Sequence, residues 1–250
     1  QIYTFPDCPH LLKLFRNHLL DQGYSFKDGD RNSFYLVKKD FQDLLDQDSN
    51  ELKIAFKINK ENHLECYGNA RQLVRTAAQL LSNTVSKAFL FIYGNKKESQ
   101  SRAINIVNDW FDSMNSRSIY SKKKLSCGLG IHFHEQMSAL NEMERLVLSM
   151  KVIGKTYQLP FQKGILISIR STRALFKNIK TDGMKFLLTA RLNQDCLENV
   201  FSRVRALTGN NHHPSPVEAL RRLKILLIGK NHDLILRNPA VEVEEDNEDD

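Results

Sequence analysis

Asn193-Gln194-Asp195-Cys196-Leu197-Glu198-Asn199-Val200-Phe201-Ser202-Arg203-Val204-Arg205 is the stretch on which the reading of this chain turns. Leu197, Val200, Phe201 and Val204 recur at helical spacing, which predicts a short amphipathic helix with one apolar stripe. Glu198 lies at the edge of that stripe, on the same flank as Gln194 and Arg205. The two acids near the start admit two readings. As a capping box, Asp195 and Glu198 satisfy free backbone N–H groups and complement the helix dipole. As an acid at the rim of a buried face, Glu198 is a candidate ligand. The local residues favour the cap, and the rest of the chain tips the balance toward chemistry.

Working outward, the tail shows first. Seven of the chain's 29 acids lie in residues 242–250, so the remaining body sets 36 Lys and Arg against 22 Asp and Glu, a net +14. Such a body favours a polyanionic partner, DNA or RNA. The acidic tail reads as a disordered segment able to screen that surface. The 250 residues suffice for one large domain or two ordinary ones, and 41% apolar content supplies a core. Cys8, Cys66, Cys127 and Cys196 include no C-x-x-C pair, which suits free thiols in a reducing compartment. The apolar run 88–93 is too short to span a bilayer, and Gln1 opens without a signal peptide. The expectation is a soluble chain cut from a longer one, with no membrane role.

Taken in order, residues 2–5 read as the end of a strand. Pro6 and Pro9 then lead into a helix over 9–22 that Gly23 terminates. Asp7 thus stands at a helix N-terminus, either as its N-cap or as a catalytic acid. Residues 23–51 are polar and poorly periodic, with Asp28-Gly29-Asp30 as a turn and 34–37 as a strand or helix start. Apolar recurrence at three and four predicts helices over 69–91, 99–114 and 135–150. Beyond Pro160 the pattern gives a short apolar run at 164–169, a helix over 172–179, an extended or helical piece at 186–189, and the opening helix. Ser215, Pro216 and Glu218 then mark a further helix start, with Gly229 as its stop.

Several chemistries are excluded. Gly154-Lys155-Thr156 is no P-loop, because Ser149 stands where the earlier glycine is needed. Asn59-Lys60-Glu61-Asn62 ends in an amide where a guanine-reading turn needs an acid. Cys127, His132 and His134 lack a second pair to complete a zinc site, and His212-His213 is a loop pair. No G-x-S-x-G occurs. Carboxylates remain: Asp7 and Glu198 could converge on Mg²⁺, a hard ion that takes carboxylate oxygen and keeps positions open for phosphate.

Five pieces in order resemble one family: DCPHLLKLFRN at 7–17, AAQLLSNTV at 77–85, NDWFDSMNSR at 108–117, GILIS at 164–168, and LLTARLNQDCLEN at 187–199 followed by Gly209-Asn210-Asn211. Together they resemble the P element transposases of flies and their vertebrate THAP-domain relatives. The resemblance implies an α+β, mostly helical chain: a split RNase H-like catalytic fold interrupted by a helical GTP-binding insertion domain. The implied boundaries are 1–23 and 181–237 for the RNase H-like segments, 24–180 for the insertion and 238–250 for the tail. It implies cut-and-paste DNA transposition in the nucleus, with Mg²⁺ and GTP as cofactors, transposon-end and target DNA as partners, and homo-oligomerisation of the full-length protein. Asp7 would be the second catalytic carboxylate and Glu198 the third. The first, together with a DNA-binding zinc module and a coiled coil, would precede Gln1, leaving this fragment inactive alone. Cys196 departs from the family's usual proline, and the interval from Asp7 to the insertion is short. In the insertion, Asp112 with Asn115 one turn on would read guanine, Lys53 or Lys57 would meet the phosphates, and Asp195 would face the nucleotide. The rival is a domesticated or truncated relative that binds DNA as a repressor without catalysis.

Overall fold

The computed structural model describes residues 2–28, 32–48, 52–207 and 214–228. The chain divides into two compact units, Gln1–Asn193 and Gln194–Asp250. The acidic tail, His212-His213 and Gly209-Asn210-Asn211 lie outside the described residues.

The first unit begins with α1 (Cys8–Asp21). The Asp7 carboxylate accepts from the His10 N–H, and Pro9 occupies the first turn, where a missing N–H costs nothing. The helix ends where Gly23 takes a φ of 78° and its N–H donates to the His18 carbonyl. Residues 2–5 are not a strand, contrary to the sequence reading. Their β-forming composition is insufficient, since a strand exists through its ladder and nothing described pairs with them.

Within residues 23–51, which carry little periodicity, the described residues form two paired strands and a helix. Strands β1 (Tyr24–Asp28) and β2 (Asn32–Leu36) pair antiparallel with Tyr24 opposite Leu36, and β3 (Met150–Val152) pairs antiparallel with the other edge of β1. Gly29 and Asp30 of the expected turn lie outside the described residues. The next helix, α2 (Lys38–Gln47), starts where the buried Asp40 accepts from the Val37 N–H at 2.9 Å and pairs with Lys97 at 2.5 Å. Each strand shows too few alternations for its period to stand out, and the sheet forms because Tyr24, Phe26 and Leu36 are driven into the core.

The single helix expected over 69–91 is two, α3 (Val74–Leu80) and α4 (Asn83–Tyr93), preceded by a 3₁₀ turn, Gly68–Gln72. Ser82 makes the break, its hydroxyl accepting from the Val85 N–H while Asn108 accepts from the Asn83 N–H. An N-capping serine starts a new helix inside an apolar pattern that continues through it. Then come α5 (Glu98–Met114) and α6 (Phe133–Ser149), each within two residues of expectation. The run at 164–169 and the helix at 172–179 merge into α7 (Pro160–Thr181). A short apolar run cannot be told from a buried helix by periodicity. Gly164 sits inside α7 because a Cβ there would meet the Leu11 side chain at 2.7 Å, so α1 and α7 pack closely.

Arg16 of α1 is wholly buried yet makes no carboxylate pair among the described residues. Its guanidinium donates to Asn17 Oδ1, Thr76 Oγ1 and the Arg71 carbonyl at 2.8, 3.0 and 2.8 Å, and it touches Cys66 Sγ at 3.6 Å. Burial lowers its pKa, while nearby Cys66 opposes the shift. One planar fork thereby ties α1 to α3 and to the turn before it.

The second unit contains α8 (Asp195–Ala206) and α9 (Pro216–Ile228). The start of α9 is the expected box: the Ser215 N–H donates to Glu218 Oε2 at 2.9 Å and the Glu218 N–H to Ser215 Oγ at 3.4 Å. The buried Arg222 donates to the carbonyls of Val204 and Arg205, joining the two helices. The four cysteines are free thiols, three buried and Cys196 exposed. Among the described residues no helix is long and apolar enough to cross a membrane.

Candidate functional site

The capping reading of α8 does not hold. Gln194, not Asp195, occupies the N-cap, and no side chain caps the helix. The Glu198 N–H donates to the Gln194 carbonyl at 2.9 Å, so both acids stand in the first turn. There they complement the dipole without closing a box. The stripe is also less buried than its spacing suggests: Val204 is 5% exposed, but Leu197 and Phe201 are 57% and 54% exposed. Helical spacing defines a face and leaves its cover unspecified. Glu198 is exposed on the first turn.

Asp7 is half-buried at the start of α1, its Oδ2 2.9 Å from the His10 N. Capping and ligation are compatible in principle, because a carboxylate has two oxygens and about four lone-pair sites. Asp7 belongs to the first unit and Glu198 to the second. Both are oxygen donors of the kind Mg²⁺ takes. Among the described residues no group of three or more His, Cys, Asp or Glu forms a metal-binding cluster.

The proposed nucleotide residues of the first unit fall in two places. Asp112 is on the last turn of α5, where Asn108 Nδ2 donates to its Oδ2 at 3.1 Å and to Asp109 Oδ1 at 3.2 Å. Asn105 Nδ2 donates to Asp109 at 2.8 Å, and Asn83 on α4 donates to Asn105 at 2.8 Å. This ladder of amides holds two carboxylates on one face of α5. Burial raises the pKa of Asp109, Asp112 and Glu142 add to the rise, and the amides oppose it. Asn115, just past the helix, accepts from Asn193 Nδ2 at 3.1 Å.

Beside it lies a buried knot that the sequence reading missed. Thr189 Oγ1 accepts from the Ser116 N–H at 3.0 Å and donates to the Ser113 carbonyl at 2.8 Å, while the Thr189 N–H donates to Ser116 Oγ at 3.2 Å. The end of α5 is thus stitched to the segment that runs into α8. Only the short spacing from Thr189 to Asn193 within one family-like piece hinted at it.

Lys53 and Lys57 belong instead to the turn after α2, which the buried Asp48 holds by accepting from the N–H groups of Ile54 and Ala55 at 3.0 and 2.7 Å. Lys53 is exposed, and Lys57 Nζ stands 5.8 Å from the Phe56 ring centre. Asp195 is half-buried in the second unit. Among the described residues, cavities open on the first unit. One of about 430 Å³ is lined by Lys27, Phe34, Arg102, Glu142 and Arg145 among others. One of about 540 Å³ is lined by Phe133, Met137, Phe176 and Lys180 among others. Neither is lined by Asp112, Asn115, Lys53 or Lys57.

Residues 9–127 match the family described as the TNP-like, GTP-binding insertion domain. That span includes Lys53, Lys57, Asp112 and Asn115, and excludes Asp7, Asp195 and Glu198. A Drosophila melanogaster protein, the transposable element P transposase, is 35% identical over 238 residues, or 92% of this chain and 31% of the relative. A solved structure, the Drosophila P element transposase strand transfer complex, superposes with a TM-score of 0.80 at 34% identity over 92% of this chain and 52% of that one. The chain therefore spans about a third of its curated relative. Sequence and fold make this chain similar to P element transposases along nearly its whole length, with the GTP-binding insertion domain matched over residues 9–127.

Proposed function

We propose that this chain is part of a cut-and-paste DNA transposase that uses Mg²⁺ for strand cleavage and strand transfer and GTP as a cofactor. The observation that carries the reading is the match in sequence and fold over 92% of the chain to a P element transposase solved as a strand transfer complex. Asp7 and Glu198 serve as two carboxylates of a DDE-type, RNase H-like site. The capping bond from the His10 N–H orients the Asp7 carboxylate, and Glu198 is presented on the first turn of α8. When bound, Mg²⁺ stabilises charge on the transferring phosphate and activates the attacking hydroxyl. The basic body grips DNA phosphates. In the GTP-binding insertion, Asp112 accepts the two adjacent donors of guanine and Asn115 supports it. The whole protein acts in the nucleus as a homo-oligomer.

The test is Glu198→Gln in the full-length protein. Cleavage of transposon-end DNA is expected to fall to background while affinity for the same DNA stays within about threefold. Cleavage at the wild-type rate would remove Glu198 from the reaction, and DNA binding without cleavage by the wild type would leave the repressor reading.

A further inference from the structure

The connection between α5 and α6 carries an unusual concentration of one charge. From Ser113 to His134 there is no Asp or Glu, while Arg117, Lys122, Lys123 and Lys124 all fall in eight of those residues. At the same tip Tyr120 is 87% exposed. Large aromatic rings are ordinarily among the more buried side chains, so a tyrosine held in water beside three lysines calls for a partner.

The tip is firmly mounted. Its two ends close on each other through a bridge between Ser118 and Cys127, the Gly128 N–H donating to the Ser118 carbonyl at 2.9 Å. The buried Gln136 side chain donates to the carbonyls of Cys127 and Gly128 at 2.8 and 3.3 Å and accepts from the Gly130 N–H at 2.9 Å. Leu129 pairs with Leu187 on the far side. Inside the tip, Ser118 Oγ accepts from the Tyr120 N–H at 3.2 Å and Ser121 Oγ from the Lys123 N–H at 3.3 Å. Lys124 reaches Glu135 at 3.4 Å but remains 67% exposed. A contact loop ordered before binding loses less entropy when it engages.

We propose that this loop is a nucleic-acid contact that stacks an unpaired base on Tyr120 while Lys122, Lys123 and Lys124 hold the flanking phosphates. Cations supply affinity for any polyanion. The ring is what selects nucleic acid over an acidic protein, and it selects a base free of its duplex, whose face is available for stacking. The inference rests on the proposal that the full-length protein binds DNA.

The experiment measures binding of the full-length protein to a duplex with a single-stranded tail and to the same duplex blunt-ended, across a salt series. Tyr120→Ala is expected to weaken binding to the tailed DNA about tenfold, within the range for loss of one stacked base, and to blunt DNA less than twofold. Tyr120→Phe should retain wild-type affinity. Lys123→Ala should weaken both and lower the salt slope by about one. An unchanged Tyr120→Ala, or an equal loss on both DNAs, overturns the loop assignment while leaving DNA binding intact. A wild type that binds neither DNA overturns the underlying reading as well. Tyrosine-dependent binding of polyglutamate in place of DNA would identify an acidic-protein surface and overturn the proposal.

Discussion

Asp112 shows how much a single side chain is asked to do. Guanine presents N1–H and an exocyclic amine side by side, and a carboxylate accepts both. The Asn108 amide holds one Asp112 oxygen at 3.1 Å, which orients the carboxylate for the guanine role proposed above. Asp112→Asn is expected to lose GTP and gain xanthosine triphosphate, whose C2 carbonyl pairs with an amide donor. A competition binding assay with the two nucleotides measures the exchange, and an unchanged preference would take Asp112 out of the site. Asp109 lies one turn earlier on the same helix. Its folded pKa is raised by burial first, so its neutral form favours folding below the ordinary carboxylate range, and that benefit fades as pH rises through the raised value.

Among the elements, α6 and α7 are joined by charge as well as by apolar packing. Glu144 takes Arg173 at 2.5 Å and Arg170 at 3.0 Å, and Arg173 also donates to Asn141 at 2.6 Å. The hydrogen bond from Arg173, then that from Arg170, lowers the pKa of Glu144 against its desolvation. A depressed carboxylate pKa stabilises the fold above the unfolded value and loses that contribution as pH falls through the folded value. Glu144→Gln should therefore cost about 1 kcal/mol at pH 7, the scale of a well-made partly exposed pair, and progressively less as the pH is taken down through the folded pKa. Urea denaturation across that range would show the difference, and an equal loss throughout would mean that packing alone is at stake. The sequence displayed such elements unevenly. Helices α5 and α6 were legible because their apolar faces run unbroken for several turns. The paired strands at 24–28 and 32–36 were not, because two short strands offer few alternations, and the gap between α3 and α4 was hidden because Ser82 caps without interrupting the apolar recurrence.

Across the whole molecule, charge is distributed by sequence position: a body of net +14 is followed by nine residues that hold seven acids. In the full-length protein, DNA affinity should fall steeply with salt, and removing residues 241–250 should raise it at low salt by relieving competition for the basic surface. Fluorescence anisotropy at two salt concentrations tests both, and an affinity indifferent to salt would rule out a phosphate-dominated interface. The sequence marks candidate site residues one at a time and carries no sign of how they would assemble. Asp7, Glu198 and Asp112 each announce themselves by position on a helix. The Thr189 and Asn193 stitches to the end of α5 join residues more than seventy positions apart through neutral hydroxyls and amides, which leave no periodic trace.

The meeting of Gly164 with Leu11 bears on how this protein can change over generations. The missing side chain on α7 is the room that the leucine on α1 occupies, so a larger residue at 164 displaces the Leu11 methyl. A larger residue at 164 survives where 11 has already become smaller, and shrinking Leu11 first leaves a void that invites the larger partner.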